Sequence, residues 1–304
     1  MDFSKYGVPS EQWLAFAEKN PAATQDGFDG TGPSGAASLR EKTNRGREAT
    51  AARLMTETGL CNRVTIETIQ VPSRDSHTIP VRRYAPREGH RDDAPVLIFF
   101  HGGGMLFGSE TSDDFLCSNM AVANSITILS VIYRHTPEYQ HPAHHNDALD
   151  AFQFIRDSPG RLRVDTRGGV ALMGVSAGAG LAAGVVLRDI AHARSTPGYE
   201  SIIKGLVLSM PWLIHIDNYP FHKFASREKT SKIQCAETPV IPTTRMKLFS
   251  DTLVAQDPTD PLLNVALAPE AELIGWPKTA FLVSGRDPLR DDGLLFAKRL
   301  EASG

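Results

Sequence analysis

The sequence predicts an α/β fold in which a mostly parallel sheet carries helices on both faces. Continuous apolar runs, such as Val96–Phe100 and residues 126–132, are typical of strands buried on both faces of such a sheet. Stretches with helical spacing of apolar residues lie between these runs, and strands that alternate with helices form one parallel sheet. The chain has 304 residues, 41% of them hydrophobic, which is enough for one large core.

Residues 1–60 are predicted to form a segment outside the sheet. Glu11–Lys19 has an apolar side and follows Ser10, a good N-cap residue, so a short helix is expected there. The polar, glycine-rich stretch 26–35 predicts a loop, and a second helix is expected over 38–58. Helix, loop and helix is an arrangement that a cap or lid over a site could adopt. The alternative is a poorly ordered N-terminus.

Residues 61–304 are predicted to form a single domain. Alternating β-branched residues predict two strands, and five apolar runs predict five buried strands. The strands are expected over 64–71, 78–84, 96–100, 126–132, 170–173, 205–209 and 279–285. Helices are expected over 113–124, 142–157, 181–190, 246–254 and 293–300. Residues 211–275 are the least regular part and are interpreted as an insertion that could add to the cap.

The composition argues against several kinds of partner. A net charge of −3 and a pI near 6.4 give no reason to expect binding to nucleic acid or to an anionic membrane. No apolar run is long enough for stable membrane insertion, and the N-terminus does not resemble a secretory signal. Cys61, Cys117 and Cys235 are far apart, so neither a disulfide framework nor a metal site is expected. We therefore expect a cytoplasmic protein, and the oligomeric state is left open.

The predicted chemistry is centred on Ser176. A buried strand, the sequence Gly-Val-Ser-Ala-Gly and a helix follow one another directly over residues 170–190. This order places a serine on a tight turn above the sheet edge, at the positive end of the helix dipole. Gly174 and Gly178 lack side chains, which lets strand and helix approach closely. Ser176 is therefore the candidate nucleophile.

A glycine-rich sequence after the strand 96–100 is the candidate partner of that serine. His101 is followed by three glycines, whose backbone N–H groups can approach a ligand closely. Together with the N–H of Ala177, these groups are expected to form an oxyanion hole. Without the serine downstream, the same residues would be read as a glycine-rich turn with a structural histidine.

Asp287 follows directly after the last predicted strand. A carboxylate at this position can orient a histidine base and stabilise its protonated form. Taken alone, Asp287 would be interpreted as a helix N-cap. Its neighbours Asp291 and Asp292 are expected to cap the following helix or lie on its surface.

Together, these motifs resemble the hormone-sensitive-lipase-like α/β-hydrolases, the fold-3 carboxylesterases. The matching sequences occur in the family order over residues 60–300: His-Gly-Gly-Gly at 101–104, Tyr-Arg at 133–134, Pro-Glu at 137–138, Pro-Ala at 142–143, Asp-Ala-Leu at 147–149, Gly-Val-Ser-Ala-Gly at 174–178 and Asp-Pro-Leu-Arg-Asp-Asp-Gly at 287–293. The resemblance implies an α/β-hydrolase fold and an esterase of small or medium carboxylic esters that needs no cofactor and no metal. It implies an acyl-enzyme on Ser176, Asp287 as the triad acid, and a cap built from the N-terminal segment and the insertion. It also implies that the N–H groups of Gly103, Gly104 and Ala177 are the oxyanion donors.

The resemblance assigns no triad base. His101 is expected to support the oxyanion loop rather than to act as base. In this fold the triad order is Ser, Asp, His, yet all ten histidines precede Asp287. The family's last strand, histidine loop and closing helix are therefore expected to be missing from the sequence, through a shortened chain or an incomplete gene reading; a degenerate member is the alternative. We considered His141, His144 and His145 as substitutes for the missing triad base.

Other departures from the family lie around the expected site. Val175 stands where an acidic residue is usual, Ala179 and Gly180 where Gly and Asn are usual, and His-Thr at 135–136 where Leu-Ala is usual. Two further functions stay open. One is a non-catalytic small-molecule-binding protein similar to the gibberellin receptors, which lack a working triad histidine. The other is an acyltransferase or biosynthetic enzyme that uses the same serine turn.

Overall fold

A computed structural model describes residues 1–21, 32–89 and 94–303. These residues contain a seven-stranded sheet with the order β1-β2-β4-β3-β5-β6-β7. The strands are β1 Val64–Pro72, β2 Thr78–Pro86, β3 Val96–Phe100, β4 Thr127–Val131, β5 Val170–Val175, β6 Ile203–Ser209 and β7 Lys278–Leu282. β2 pairs antiparallel with β1 and β4, and all other neighbours are parallel. The predicted mostly parallel sheet is confirmed, with an antiparallel pair at one edge.

The helices agree closely with those predicted. They are α1 Glu11–Lys19, α2 Ala36–Glu57, α3 Asp114–Asn124, α4 Ala143–Asp157, α5 Ala177–Ser195, α6 Ser231–Gln234, α7 Thr243–Leu253, α8 Glu270–Leu273 and α9 Arg290–Ser303. Ser10 caps α1 as predicted, since its hydroxyl accepts a hydrogen bond from the N–H of Trp13 at 3.1 Å. Of the helices described, none combines the length and the apolar character needed to span a membrane.

Apolar residues pack on both faces of the sheet. Because side chains alternate along a strand, Ile98 and Phe100 of β3 face one side while Leu97 and Phe99 face the other. The first side is covered by α4 and α5, and the second by α3 and the end of α2. The prediction of helices on both faces is thus confirmed.

The outer strand β7 differs from the buried strand that was predicted. Its side chains alternate between exposed and half-buried, and Leu282 is 53% exposed. Phe281 packs against Phe296 of α9, so α9 covers one face. Among the described residues no helix covers the other face, and the prediction of a fully buried strand is wrong here.

Asp291 and Asp292 also differ from the prediction, because both are fully buried. Asp291 accepts hydrogen bonds from the backbone N–H of Ser231 at 2.6 Å and from the guanidinium of Arg290 at 2.7 Å. Asp292 lies 3.0 Å from the ammonium group of Lys232, and burial raises its pKa to about 6. The two carboxylates therefore tie α9 to α6. The sequence could not show this, because the partners lie far away along the chain.

Candidate active site

The two glycine-rich motifs meet at the centre of the sheet. β3 and β5 are parallel neighbours, and the strand order reverses at β3, which has β4 on its other side. Ligand sites of open α/β sheets form at the carboxyl ends of strands where the order reverses. Ser176 follows β5 and His101 follows β3, and a Cβ added to Gly102 would lie 3.4 Å from the Cβ of Ser176. The structure therefore brings together the two motifs that the sequence singled out.

Ser176 has an unusual backbone conformation, with φ 54° and ψ −117°. Such values are strained for a residue with a side chain and persist only where the surroundings enforce them. Here the N–H of Ser176 donates to the carbonyl of Ser209 at 2.8 Å, and its carbonyl accepts from the N–H of Trp212 at 3.1 Å. The turn sets the partly exposed side chain at the N-terminus of α5. This is the conformation expected of a nucleophile turn.

The two glycines of the turn are sterically required. A Cβ at Gly178 would lie 2.1 Å from the carbonyl oxygen of Phe100 and 2.4 Å from that of His101. A Cβ at Gly174 would lie 2.2 Å from the carbonyl oxygen of Gly178. All these atoms belong to the backbone, so no side-chain rotation could relieve the clash.

Replacing Gly178 with alanine should therefore lower the free energy of unfolding by about 1–3 kcal/mol or more, as overpacking does elsewhere. The matched control is Gly46→Ala in α2, where an added Cβ meets nothing within 4 Å. Alanine there should be neutral or stabilise the helix by up to about 1 kcal/mol. Urea unfolding of both variants measures the difference. Equal stability of Gly178→Ala and wild type would contradict the close approach.

The oxyanion loop, residues 101–108, follows β3 in a conformation that suits glycine. Gly103 has φ 142° and Gly104 has φ 65°. The carbonyl of Gly103 accepts from the N–H of Leu106, which closes a turn. Within the described part of the chain, the N–H groups of Gly103, Gly104 and Ala177 donate to no other residue. They are thus free to bind a ligand oxygen, and their role as oxyanion donors stays a prediction.

Helix α2 holds the oxyanion loop from outside. Arg47 donates to the carbonyl of Gly102 at 3.0 Å and pairs with Asp113 at 2.9 Å. Asn44 exchanges two hydrogen bonds with Gly108, of 2.7 Å from its amide and 2.9 Å to its oxygen. The sequence analysis missed these supports, because polar side chains on a mostly polar helix do not indicate which loop they contact.

His101 lies beneath the loop and is only 1% exposed. Its ring stacks on Tyr133 with centroids 4.3 Å apart, and the Tyr133 hydroxyl donates to the His101 carbonyl at 2.7 Å. A Cβ at Gly108 would lie 2.1 Å from the ring. Burial lowers the pKa of His101 to about 3, so the ring stays neutral at neutral pH. This position agrees with the predicted supporting role.

Asp287 lies just before α9 and is 8% exposed. One carboxylate oxygen accepts from the N–H of Leu289 at 2.7 Å, and the backbone carbonyl accepts from the N–H of Arg290 at 3.0 Å. The side chain of Asp287 forms a cap-like turn and is also close to the expected site. The structure therefore does not decide between Asp287 as triad acid and Asp287 as helix N-cap. Burial raises the pKa of Asp287 above its usual value.

Asp287 borders a groove of about 680 Å³, which we call the Asp287 groove. Trp13 of α1 lines it together with Tyr6, Val8 and the segment 237–241. Met210 also lines it and directly follows Ser209, whose carbonyl holds the N–H of Ser176. The groove thus includes a residue adjacent to one that holds the nucleophile turn.

No histidine of the described residues forms a hydrogen bond with the side chain of Ser176 or Asp287. His141, His144 and His145 lie together in the protein interior, where His141 contacts Asp260 at 2.9 Å. The structure thus gives no support for these three as substitute bases.

Several known proteins similar to this chain are named as esterases. The carboxylic ester hydrolase LipN of Mycobacterium tuberculosis is 33% identical over 230 residues, which cover 74% of this chain and 57% of LipN. The ethyl acetate hydrolase of Pseudomonas putida is 29% identical over 245 residues, covering 79% of this chain and 70% of that enzyme. A hyperthermophilic esterase from the archaeon Pyrobaculum calidifontis has 27% identity and a TM-score of 0.76, covering 98% of this chain and 87% of that structure.

The match to known families covers most of the sheet and both predicted catalytic residues. A sequence model described as the α/β hydrolase fold matches residues 97–304, which include Ser176 and Asp287. With the esterase relatives, this match shows that the chain belongs to the fold-3 family of α/β-hydrolases, the hormone-sensitive-lipase-like carboxylesterases.

Proposed function

We propose that the protein is a serine carboxylic-ester hydrolase in which Ser176 is the nucleophile. The observation that carries the proposal is the strained backbone of Ser176, held at the N-terminus of α5. The hydroxyl oxygen would attack the ester carbonyl carbon, and the C=O electron pair would move onto oxygen. The N–H groups of Gly103, Gly104 and Ala177 would stabilise that oxygen. Collapse would expel the alcohol, and water would then hydrolyse the acyl-enzyme.

Asp287 is proposed as the acid that orients the base. Serine without a base is a weak nucleophile at neutral pH, so a histidine has to take the hydroxyl proton. One oxygen of Asp287 is held by the Leu289 N–H, and the residue borders the Asp287 groove. This groove is where we place the histidine that Asp287 would orient.

Residues 1–60 and 211–275 are proposed to form the cap over this site. Trp13 of the first segment and residues 237–241 of the second line the same groove. The glycine-rich loop predicted at 26–35 lies mostly outside the described residues, so it stays a prediction. The P. putida relative is named for ethyl acetate, and we propose a small or medium ester as substrate.

A cytoplasmic location is proposed from cysteine chemistry. Cys61, Cys117 and Cys235 are all free, and the last two are buried. Unpaired cysteines fit a reducing compartment.

The alternative of a non-catalytic binding protein is favoured by one observation: no histidine of the described residues forms a hydrogen bond with the side chain of Ser176 or Asp287. Labelling with a fluorophosphonate probe, followed by peptide mass spectrometry, separates the two functions. An ester hydrolase should carry the adduct on Ser176 and should turn over p-nitrophenyl acetate and butyrate. Saturable ester binding with neither adduct nor turnover would instead show a binding protein.

A further inference from the structure

Three histidines form a compact cluster where the chain enters α4. One ring nitrogen from each of His141, His144 and His145 lies within 4.8 Å of one from each of the others. The ring centroids are between 4.9 and 5.9 Å apart. In residues 1–21, 32–89 and 94–303 no other three side chains of His, Cys, Asp or Glu form such a group.

The surroundings fix the tautomers of two of these rings. Nε2 of His141 lies 2.9 Å from a carboxylate oxygen of Asp260, and Nε2 of His145 lies 3.2 Å from the carbonyl oxygen of Leu262. Both partners accept hydrogen bonds, so Nε2 carries the proton in each ring. When the ring holds a single proton, as metal binding requires, Nδ1 keeps its lone pair. Both Nδ1 atoms are buried and form no hydrogen bond with any described residue.

The third ring has no hydrogen bonds to the described residues. His144 is 0% exposed, and both of its nitrogens are buried without a partner. Buried polar groups normally have partners, so such a ring requires an explanation.

We propose that His141, His144 and His145 bind a borderline divalent transition-metal ion, represented below by zinc. Neutral imidazole is a preferred zinc ligand, with bonds of about 2.0–2.1 Å. Two ligands of a tetrahedral ion are then about 3.4 Å apart, so small ring rotations would close the present spacing. Asp260 and the Leu262 carbonyl have the role that carboxylates and carbonyls have around zinc-bound histidines, fixing the tautomer and the ring orientation.

The site would be structural rather than catalytic. All three rings lie away from Ser176 and Asp287 and form no hydrogen bond with either side chain. The ligands lie at and just before the start of α4, while the orienting residues Asp260 and Leu262 belong to the insertion 211–275. A bound ion would therefore hold that insertion against the core. None of these residues belongs to the proposed catalytic machinery.

Zinc binding to the untagged full chain tests the proposal. Protein stripped with EDTA is titrated with zinc against a chromophoric chelator, and thermal unfolding is followed with and without the metal. We expect one zinc per chain, a higher Tm that EDTA reverses, and no such shift with Mg²⁺ or Ca²⁺, which prefer oxygen ligands. X-ray absorption should show three nitrogen ligands at about 2.0–2.1 Å.

Variants identify the ligands. His144→Gln should lose stoichiometric binding, whereas His222→Gln, at an exposed histidine, should bind zinc as wild type does. Asp260→Asn can still accept the His141 hydrogen bond and should weaken binding by about 10–100-fold, which decides the matter if His144→Gln does not fold. Absence of bound zinc in the wild type, or equal affinity in wild type and Asp260→Asn, would overturn the proposal.

Discussion

Ser176→Ala is expected to lower kcat for p-nitrophenyl butyrate by about 10⁴-fold or more. The variant lacks the oxygen that would form the acyl-enzyme, and only the oxyanion donors and substrate binding would remain. Stability should change by less than about 0.5 kcal/mol, because no described residue hydrogen-bonds the Ser176 side chain and alanine meets the same backbone strain. Steady-state kinetics and urea unfolding measure the two effects separately.

The control is Ser209→Ala. Ser209 contacts Ser176 through its backbone carbonyl, which the substitution keeps, so activity should stay close to that of the wild type. If Ser176→Ala retained wild-type turnover while Ser209→Ala lost it, the nucleophile would be misassigned.

In the natural full-length protein, Asp287→Asn is expected to reduce kcat by about 10⁴-fold at neutral pH. An amide no longer stabilises a protonated histidine and favours the wrong tautomer. The fold should tolerate the change, because the Asn oxygen can still accept from the Leu289 N–H. Asp165→Asn, at a half-buried carboxylate paired with the exposed Arg167, should leave activity unchanged.

The same variant has a predictable pH dependence of stability. Burial raises the pKa of Asp287 in the folded state, so folding disfavours its charged form. This penalty is absent below the usual aspartate pKa and is fully present above the raised folded pKa. Relative to wild type, Asp287→Asn should therefore gain stability as the pH rises through this range. Wild-type kcat together with this gain would leave Asp287 as a helix cap only.

Much of the fold could be predicted because its signals are local. The apolar run at Val96–Phe100 and the cap residue Ser10 specify β3 and the start of α1 by themselves. The proximity of Ser176 to the oxyanion loop also followed, since both motifs end buried strands of one sheet. Strand order, by contrast, depends on packing between distant segments, and so does the exposure of β7.

The residues that the sequence analysis misinterpreted depend on distant partners. Asp291 and Asp292 were expected near the surface of α9, but Ser231 and Lys232 make their burial possible. The histidines at 141, 144 and 145 were considered only as bases. Asp260, which fixes the tautomer of His141, is 119 residues away in sequence, and no local spacing indicates it.

The attachment of α2 to the oxyanion loop has an evolutionary consequence. Asn44 and Arg47 hold Gly108 and Gly102, yet α2 precedes the region 97–304 that matches the family. A lineage could exchange its N-terminal segment only if the replacement kept polar groups facing those two carbonyls. The residues at positions 44 and 47 should therefore covary with those of the oxyanion loop among related proteins. Chimaeras that join the N-terminus of one relative to the sheet of another would inherit a mismatch at this contact.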